Sequence, residues 1–302
     1  MTAAFGLSAA LAIDLALGEP PERIHPVVAM GRVISALETG APDEPRRARA
    51  FGLLFPLVPA IVAACAVALL GRVRPAPLRF VAIAWTLKST FALRALLAAS
   101  RRVERSLAAE DLRSARRELR ALVSRPTADL PAHAIASAAI ESLAENLCDS
   151  YLAPLLFYRW AGLPAALAYR AVNTADAMVG YRGRYEDLGK AAARLDDALN
   201  YAPARLTALA LVAAAPLAGG SAQAAWRVAL AHHRRTASPN AGWPMAAAAG
   251  ALGLRLAKVG HYSLGDGREP MAGDIRRARR LVATAAALIT VGALASYARA
   301  VS

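Results

Sequence analysis

Apolar runs alternate along the chain with polar stretches that are dense in motifs. Ala3 to Leu17 is a short apolar segment carrying Asp14, and a Pro- and charge-rich stretch, Gly18 to Arg49, follows it. From Phe51 to Leu70 no charged residue occurs, and about 20 residues rising ~1.5 Å each suffice to cross a ~30 Å hydrocarbon core. Arg72, Arg74, Pro75 and Pro77 close that run. Leu78 to Ala99 is a second candidate span, interrupted by Lys88 and Arg94, which suit a bundle interior or a snorkelling position. Ser100 to Arg125 predicts one charged amphipathic helix near the headgroups, with Val103, Leu107, Leu112, Leu119 and Leu122 on its broken apolar face. The most polar region, His133 to Asn200, comes next. Leu206 to Leu217 is apolar but broken by Pro216 and Gly219-Gly220. Leu281 to Tyr297 is the last apolar run, and Arg276, Arg277, Arg279 and Arg280 before it are expected on the cytoplasmic side. No internal repeat is visible.

Composition turns this pattern into a fold class. Of 302 residues 57% are hydrophobic but only 6% aromatic, so Ala, Leu and Val carry the apolar load. Mean hydropathy is +0.35. Ala, Leu and Arg favour helix, and strand-favouring residues are sparse. The expectation is an all-α, polytopic helical integral membrane protein, a single helical domain over 1–302. Its polar catalytic region is expected near 133–207, with the motifs at 18–31, 141–207 and 238–242 sharing the cytoplasmic face.

The net charge of +14 admits three partners: nucleic acid, an anionic membrane surface, or anionic substrates. No zinc-ligand spacing, aromatic RNP-like run or basic zipper supports nucleic acid, so no nucleic-acid partner is expected. The lipid bilayer is the favoured partner, and anionic substrates are compatible with it. Cys65 and Cys148 lie far apart and suggest neither a disulfide framework nor a metal cluster. The N-terminus has no basic n-region, so no cleaved signal peptide is expected.

Three polar clusters carry the candidate chemistry. Glu141, Glu145 and Asp149 are spaced i, i+4, i+8, so a helix would stack them on one face, with no Lys or Arg at an intervening position. Such a row beside apolar sequence suits a hard cation such as Mg²⁺; the alternative is a solvated acidic stripe. In Tyr169 to Tyr181, Arg170, Asn173 and Asp176 are spaced by three and fall near one face; a structural ion pair of Arg170 is the alternative. The pair Asp196-Asp197, flanked by Arg194 and Arg205, resembles a magnesium–phosphate site, because arginine matches phosphate oxygens with a bidentate fork. Gly18-Glu19-Pro20 with His25-Pro26, and Ser238 to Pro244, read as rigid turns. There is no Gly-x-x-x-x-Gly-Lys-Ser/Thr, Gly-x-Gly-x-x-Gly, His-Glu-x-x-His or Gly-x-Ser-x-Gly, so any use of ATP proceeds without a P-loop.

Taken together, these pieces resemble the adenosylcobinamide-phosphate synthase family of cobalamin biosynthesis. The resemblance runs in family order through Leu17–Pro20 with His25-Pro26-Val27, Glu141-Ser142 with Ala144-Glu145-Asn146 and Asp149, and Tyr169–Thr174. It continues through Asp176–Tyr181, Ala193–Asp197, Pro203–Thr207 and Ser238–Gly242. Two departures stand out: Met245 where the family often has a glutamate, and Ala257-Lys258 where a paired glycine is frequent.

The resemblance implies a multi-pass bacterial inner-membrane ligase. It would join (R)-1-aminopropan-2-ol phosphate to a propionate carboxylate of adenosylcobyric acid, using ATP and Mg²⁺. A carboxylate does not react with an amine at neutral pH until its oxygen becomes a leaving group, and ATP would supply that as an acyl phosphate. Glu141, Glu145, Asp176 and Asp197 are the expected catalytic residues, and Glu141, Glu145, Asp149, Asp196 and Asp197 the expected metal ligands. Arg170, Asn173, Arg194, Arg205, Asn146, Asn240 and His25 are expected to bind substrate. Corrinoid, aminopropanol phosphate and other cobalamin-pathway membrane proteins are the expected partners. A membrane transporter or scaffold with charges lining a path is the alternative class; it explains the apolar runs but not the dense motifs. A membrane enzyme acting on lipid diphosphates is a third.

Overall fold

The structure, a computed structural model, describes residues 3–181, 183 and 185–299. It is helical over 74% of its length. Fourteen helices are described: α1 (Ala3–Leu17), α2 (Pro26–Glu38), α3 (Pro45–Phe51), α4 (Leu54–Leu70), α5 (Ala76–Lys88), α6 (Leu93–Ala108), α7 (Leu112–Leu119), α8 (Ala132–Leu147), α9 (Ala153–Val179), α10 (Lys190–Leu199), α11 (Tyr201–Ala214), α12 (Ala222–His232), α13 (Gly242–Leu252) and α14 (Ala272–Arg299). Among the described residues the one sheet is an antiparallel hairpin, β1 (Leu256–Lys258) with β2 (Tyr262–Leu264), in the register Leu256↔Leu264 and Lys258↔Tyr262. Chain contacts gather in two compact units: Met1–Ala92 with Ala153–Asn200 and Ala293–Ser302, and Leu93–Leu152 with Tyr201–Gly292. The polar region near 133–207 is therefore divided between them.

Among the described residues two helical stretches are long and apolar enough to cross a membrane: Pro45–Leu70, mean hydropathy 2.6, and Ala272–Ala298, mean hydropathy 1.8. Only 22% of the first window is buried, and Leu57, Ile61, Val62 and Leu69 project outward. An apolar helix with bare apolar flanks is suited to lipid, where the helix itself satisfies every backbone polar group.

The predicted span 78–99 is instead two helices, which pass the same test only when taken together. The Ser89 hydroxyl donates to the Thr86 carbonyl (2.6 Å) and the Thr90 hydroxyl to that of Leu87 (2.7 Å), so side chains occupy the carbonyls that end α5. The predicted single helix over 100–125 is also broken. Glu110 takes φ +58°, its N–H bonds to Leu107 O and the Asp111 N–H to Ser106 O, which is the doubly bonded Schellman ending of α6. Asp111 then caps α7 by accepting from the Ser114 N–H at 2.9 Å.

In the first unit, α2, α3, α4, α9 and α10 close over Ile34, Phe55, Ala175, Val179, Leu188 and Ala192, with Phe51 edge-on to Phe55 at 6.0 Å. Helix α9 is interrupted at Ala161 and Gly162, just before Pro164. In the second unit α12 and α13 form the most extensive helix pair, and α13 is buried from Pro244 through Leu252. Three of the four arginines before the last apolar run are ion-paired here: Arg276 and Arg279 with Glu104 (3.1 and 2.6 Å), and Arg277 with Asp274 (2.9 Å). They are part of the fold as well as a charge cluster.

Small residues let α12 and α13 approach closely. A Cβ on Gly250 would lie 2.4 Å from the Ala224 carbonyl oxygen and 2.9 Å from the Ala225 Cα. Gly250→Ala is therefore expected to destabilise the protein by about 1–3 kcal/mol, the usual effect of overpacking. A lowered melting temperature in detergent is the expected reading, and an unchanged one would contradict this close approach.

Candidate functional site

The first unit holds two polar clusters. Gly18, at φ +78°, ends α1 through N–H bonds to the Ile13 and Asp14 carbonyls, a left-handed position that explains glycine in this motif. Glu19 follows, and His25 caps α2, its Nδ1 accepting from the Val27 N–H at 3.2 Å. That bond places the His25 proton on Nε2, which faces Glu19 Oε2 at 3.0 Å. The other Glu19 oxygen meets Lys88 Nζ at 2.5 Å, and Asp14 Oδ1 lies 3.2 Å from the same ammonium. Lys88 is fully buried. Burial pushes the Glu19 carboxyl up, but the hydrogen bonds from His25 and Lys88 outweigh it and hold Glu19 below the usual glutamate range. His25, expected to bind substrate, uses both ring nitrogens inside this motif.

The second cluster joins α9 to α10. Arg170 Nη1 donates to Asn173 Oδ1 (2.8 Å), and Asn173 Nδ2 donates to Asp196 Oδ1 (3.1 Å). Asn200 Nδ2 donates to the other Asp196 oxygen (3.0 Å), and the buried Tyr169 hydroxyl donates to Asn200 Oδ1 (2.9 Å). The i, i+4 spacing of Asp196 on α10 and Asn200 at its C-cap brings those two together, and the i, i+3 spacing on α9 does the same for Arg170 and Asn173. Burial raises the Asp196 carboxyl, the two amides lower it, the neighbouring Asp197 raises it again, and the net direction is upward. Asp197 is half-buried beside it, and Arg194 is exposed. Asp176 folds over Gly180, where a Cβ would run into its carboxylate and carbonyl, so the Asp-x-x-x-Gly spacing here is a packing requirement.

The second unit holds the acidic row and the arginine at 205. Glu141 is buried on α8 and accepts from Ser137 Oγ (2.9 Å), Arg125 Nη2 (3.3 Å) and the Tyr262 hydroxyl (3.2 Å). The row expected to be uncompensated is thus compensated at Glu141, by an arginine sixteen positions earlier in the chain. The face is not continuous either. Helix α8 ends at Leu147, and Asp149 lies in a π-helical turn, Cys148–Leu152. Asn146 donates to the Ser142 carbonyl (3.0 Å) and accepts from Ser150 Oγ (3.1 Å). Tyr262 reaches Glu141 from β2, and its hydroxyl also approaches Met245 Sδ at 3.9 Å. Met245 thus occupies an apolar place against the phenol.

Arg205 completes the set. Its Nη1 donates to the buried Asn240 Oδ1 (3.1 Å), and its guanidinium lies 3.6 Å from the Tyr201 ring centroid and 5.2 Å from that of Trp243. His233 stacks on the other ring of this group, Trp243, at 4.0 Å. Among the described residues the Trp243 Nε1 and Arg125 Nε donors are buried without an acceptor. The open Trp243 donor beside the Arg205 guanidinium fits an anionic ligand. No group of three or more His, Cys, Asp or Glu converges on a metal position among the described residues. Arg125, Tyr262, Ser137, Asp14 and Lys88 were missed from the sequence. Ser137 lies four positions before Glu141 on α8, so helical spacing links it to its motif; no spacing rule links the other four to the groups they contact.

Fold and clusters together define a helical protein with membrane-length apolar helices and arginine–amide–carboxylate centres. The chain belongs to the CobD/Cbib protein family, whose sequence model matches residues 7–289. It is 44% identical to the cobalamin biosynthesis protein CobD of Dehalococcoides mccartyi over 87% of this chain and 86% of that one. It is 42% identical to the probable cobalamin biosynthesis proteins CobD of Methanothermobacter thermautotrophicus, over 85% of both chains, and of Thermococcus kodakarensis, over 95% of this chain and 94% of the other. No solved structure is a significant match.

Tyr262→Phe removes one donor from the buried Glu141 carboxylate and is expected to destabilise the protein by about 1–3 kcal/mol, measured by melting in detergent. Burial first, then the charges of Glu141 and Glu145, push the Tyr262 phenol above its ordinary value. The fold thus favours the protonated phenol, and stability is expected to fall as pH rises past ~10, the unfolded tyrosine value. Tyr262→Phe should flatten that alkaline limb, and an unaltered limb would contradict the assignment.

Proposed function

We propose that this chain is an ATP-dependent amide ligase of cobalamin biosynthesis, a multi-pass protein of the bacterial inner membrane. It joins (R)-1-aminopropan-2-ol phosphate to the propionate carboxylate of adenosylcobyric acid, giving adenosylcobinamide phosphate. The observation that carries this reading is the family match over residues 7–289, which embraces every motif of the three polar clusters. The relatives' names support the pathway, and the clusters supply the chemical groups that the reaction needs.

Carboxylate activation generates negative charge on transferring phosphoryl oxygens, which arginine forks and Mg²⁺ stabilise. In the first unit Asp196 and Asp197 are the proposed Mg²⁺ ligands, with Arg170 and Arg194 for phosphate. Asn173 and Asn200 orient Asp196 so that its carboxylate needs no rearrangement when a ligand arrives. In the second unit Glu145 and Asp149 are the further candidate ligands, and Arg205 with Asn240 binds phosphate beside the open Trp243 donor. The amine reaches the enzyme as an ammonium and must lose a proton before attack; Asp176 in the first unit is the proposed acceptor, and Glu145 in the second is the alternative. Glu141 serves by holding Arg125.

Asp197→Asn is expected to abolish ligation while the protein still inserts and melts as the wild type does; full turnover at saturating Mg²⁺ would remove Asp197 from the site. Arg205→Lys keeps the charge but loses the planar fork. Losing a charged hydrogen bond amounts to about 1.5–3 kcal/mol, or roughly ten- to hundredfold in kcat/KM. The loss is expected with aminopropanol phosphate and not with unphosphorylated aminopropanol. An equal loss with both amines would contradict a contact between Arg205 and the amine's phosphate.

A further inference from the structure

Lys88 is the most deeply buried cation described, and its ammonium is held by hydrogen bonds and by opposite charge together. It donates to Glu19 Oε1 at 2.5 Å and to the Phe91 carbonyl at 3.4 Å, and Asp14 Oδ1 is ion-paired with it at 3.2 Å. Two of these come from different places in the chain. Asp14 is on α1 and is itself buried, whereas Glu19 lies in the turn between α1 and α2. Beyond Glu19 that turn buries Pro20 and nothing from Pro21 to Ile24. Glu22, Arg23 and Ile24 are exposed, and the 3-10 turn Glu22–Ile24 buries no residue. Besides the buried Pro20, its order comes from its two ends: the Gly18 ending of α1 and the His25 cap of α2. Glu19 joins them, because Oε1 is held by Lys88 and Oε2 by the His25 Nε2–H.

We infer that Lys88 is a positioning residue: its ammonium, anchored on Asp14, clamps Glu19 and through Glu19 the ring of His25, and so holds the 18–26 motif in one conformation. Asp14 supplies the counter-charge that keeps the cation in an apolar interior. Glu19 is the only partner whose side chain reaches the surface, with 31% of it exposed. It is the group that the clamp presents. The functional consequence rests on the reading that the 18–26 motif serves the ligation site, whereas the clamp itself does not.

The two can be tested apart. Removing one partner of a buried ion pair leaves an uncompensated charge, whereas replacing both with neutral residues of similar size is nearly neutral for stability. Lys88→Met alone is expected to lower the melting temperature, and Lys88→Met with Asp14→Asn to restore most of it. A nitroxide label on Glu22→Cys, in a full-length chain with Cys65 and Cys148 replaced by alanine, reports the mobility of the turn. In the double variant, and in Glu19→Gln, which cuts the clamp at its exposed end, the label is expected to become mobile although the protein melts normally. Ligation should fall at least tenfold in both. A label that stays immobile in the stable double variant and in Glu19→Gln overturns the proposal. So does recovery of ligation together with stability in the double variant, which would make Lys88 a purely structural charge. If the wild type performs no ligation, the functional reading fails, and label mobility still decides the clamp.

Discussion

An ionised group inside an apolar helical protein has to find an opposite charge or a set of donors, because neither lipid nor packed side chains will solvate it. That constraint orders the polar parts of this chain. Lys88 sits between Asp14 and Glu19, Glu141 collects a hydroxyl, a guanidinium and a phenol, and Asp196 is flanked by two amides. Each arrangement couples a helix to a distant piece of chain. The family motifs are therefore fixed by the same bonds that make their charges tolerable.

Much of the fold was legible in the chain. The uncharged run from Phe51 to Leu70 became most of the span Pro45–Leu70, and the last apolar run lies within α14. Helix ends written in glycine were equally plain, as at Gly18. Endings made by other means were not. The stretch 100–125 looked continuous because glutamate, not glycine, takes the left-handed position at 110. The stretch 78–99 looked continuous because Ser89 and Thr90 end α5 with hydroxyl bonds that carry no strong sequence signal. The hairpin at 256–264 is short, and only three pairs of residues define it.

Within the candidate site, periodicity found one local pair and missed remote ones. Arg170 with Asn173 was read from helical spacing and is hydrogen-bonded; Asp196 with Asn200 and Ser137 with Glu141 are hydrogen-bonded at the same kind of spacing but were not anticipated. Arg125 and Tyr262 reach Glu141 across 16 and 121 positions, a pairing that tertiary packing alone creates. Met245 is explained by the same packing: the phenol that engages Glu141 lies against its sulfur.

The central claim is that these polar clusters serve activation of a carboxylate by ATP. Adenosylcobyric acid labelled with ¹⁸O in the reacting carboxylate tests it most directly, with the protein reconstituted in lipid and supplied with ATP, Mg²⁺ and aminopropanol phosphate. The account predicts one amide formed per ATP consumed and one ¹⁸O carried from the acid into inorganic phosphate. Absence of the amide, or an amide formed with no label in phosphate, would contradict it.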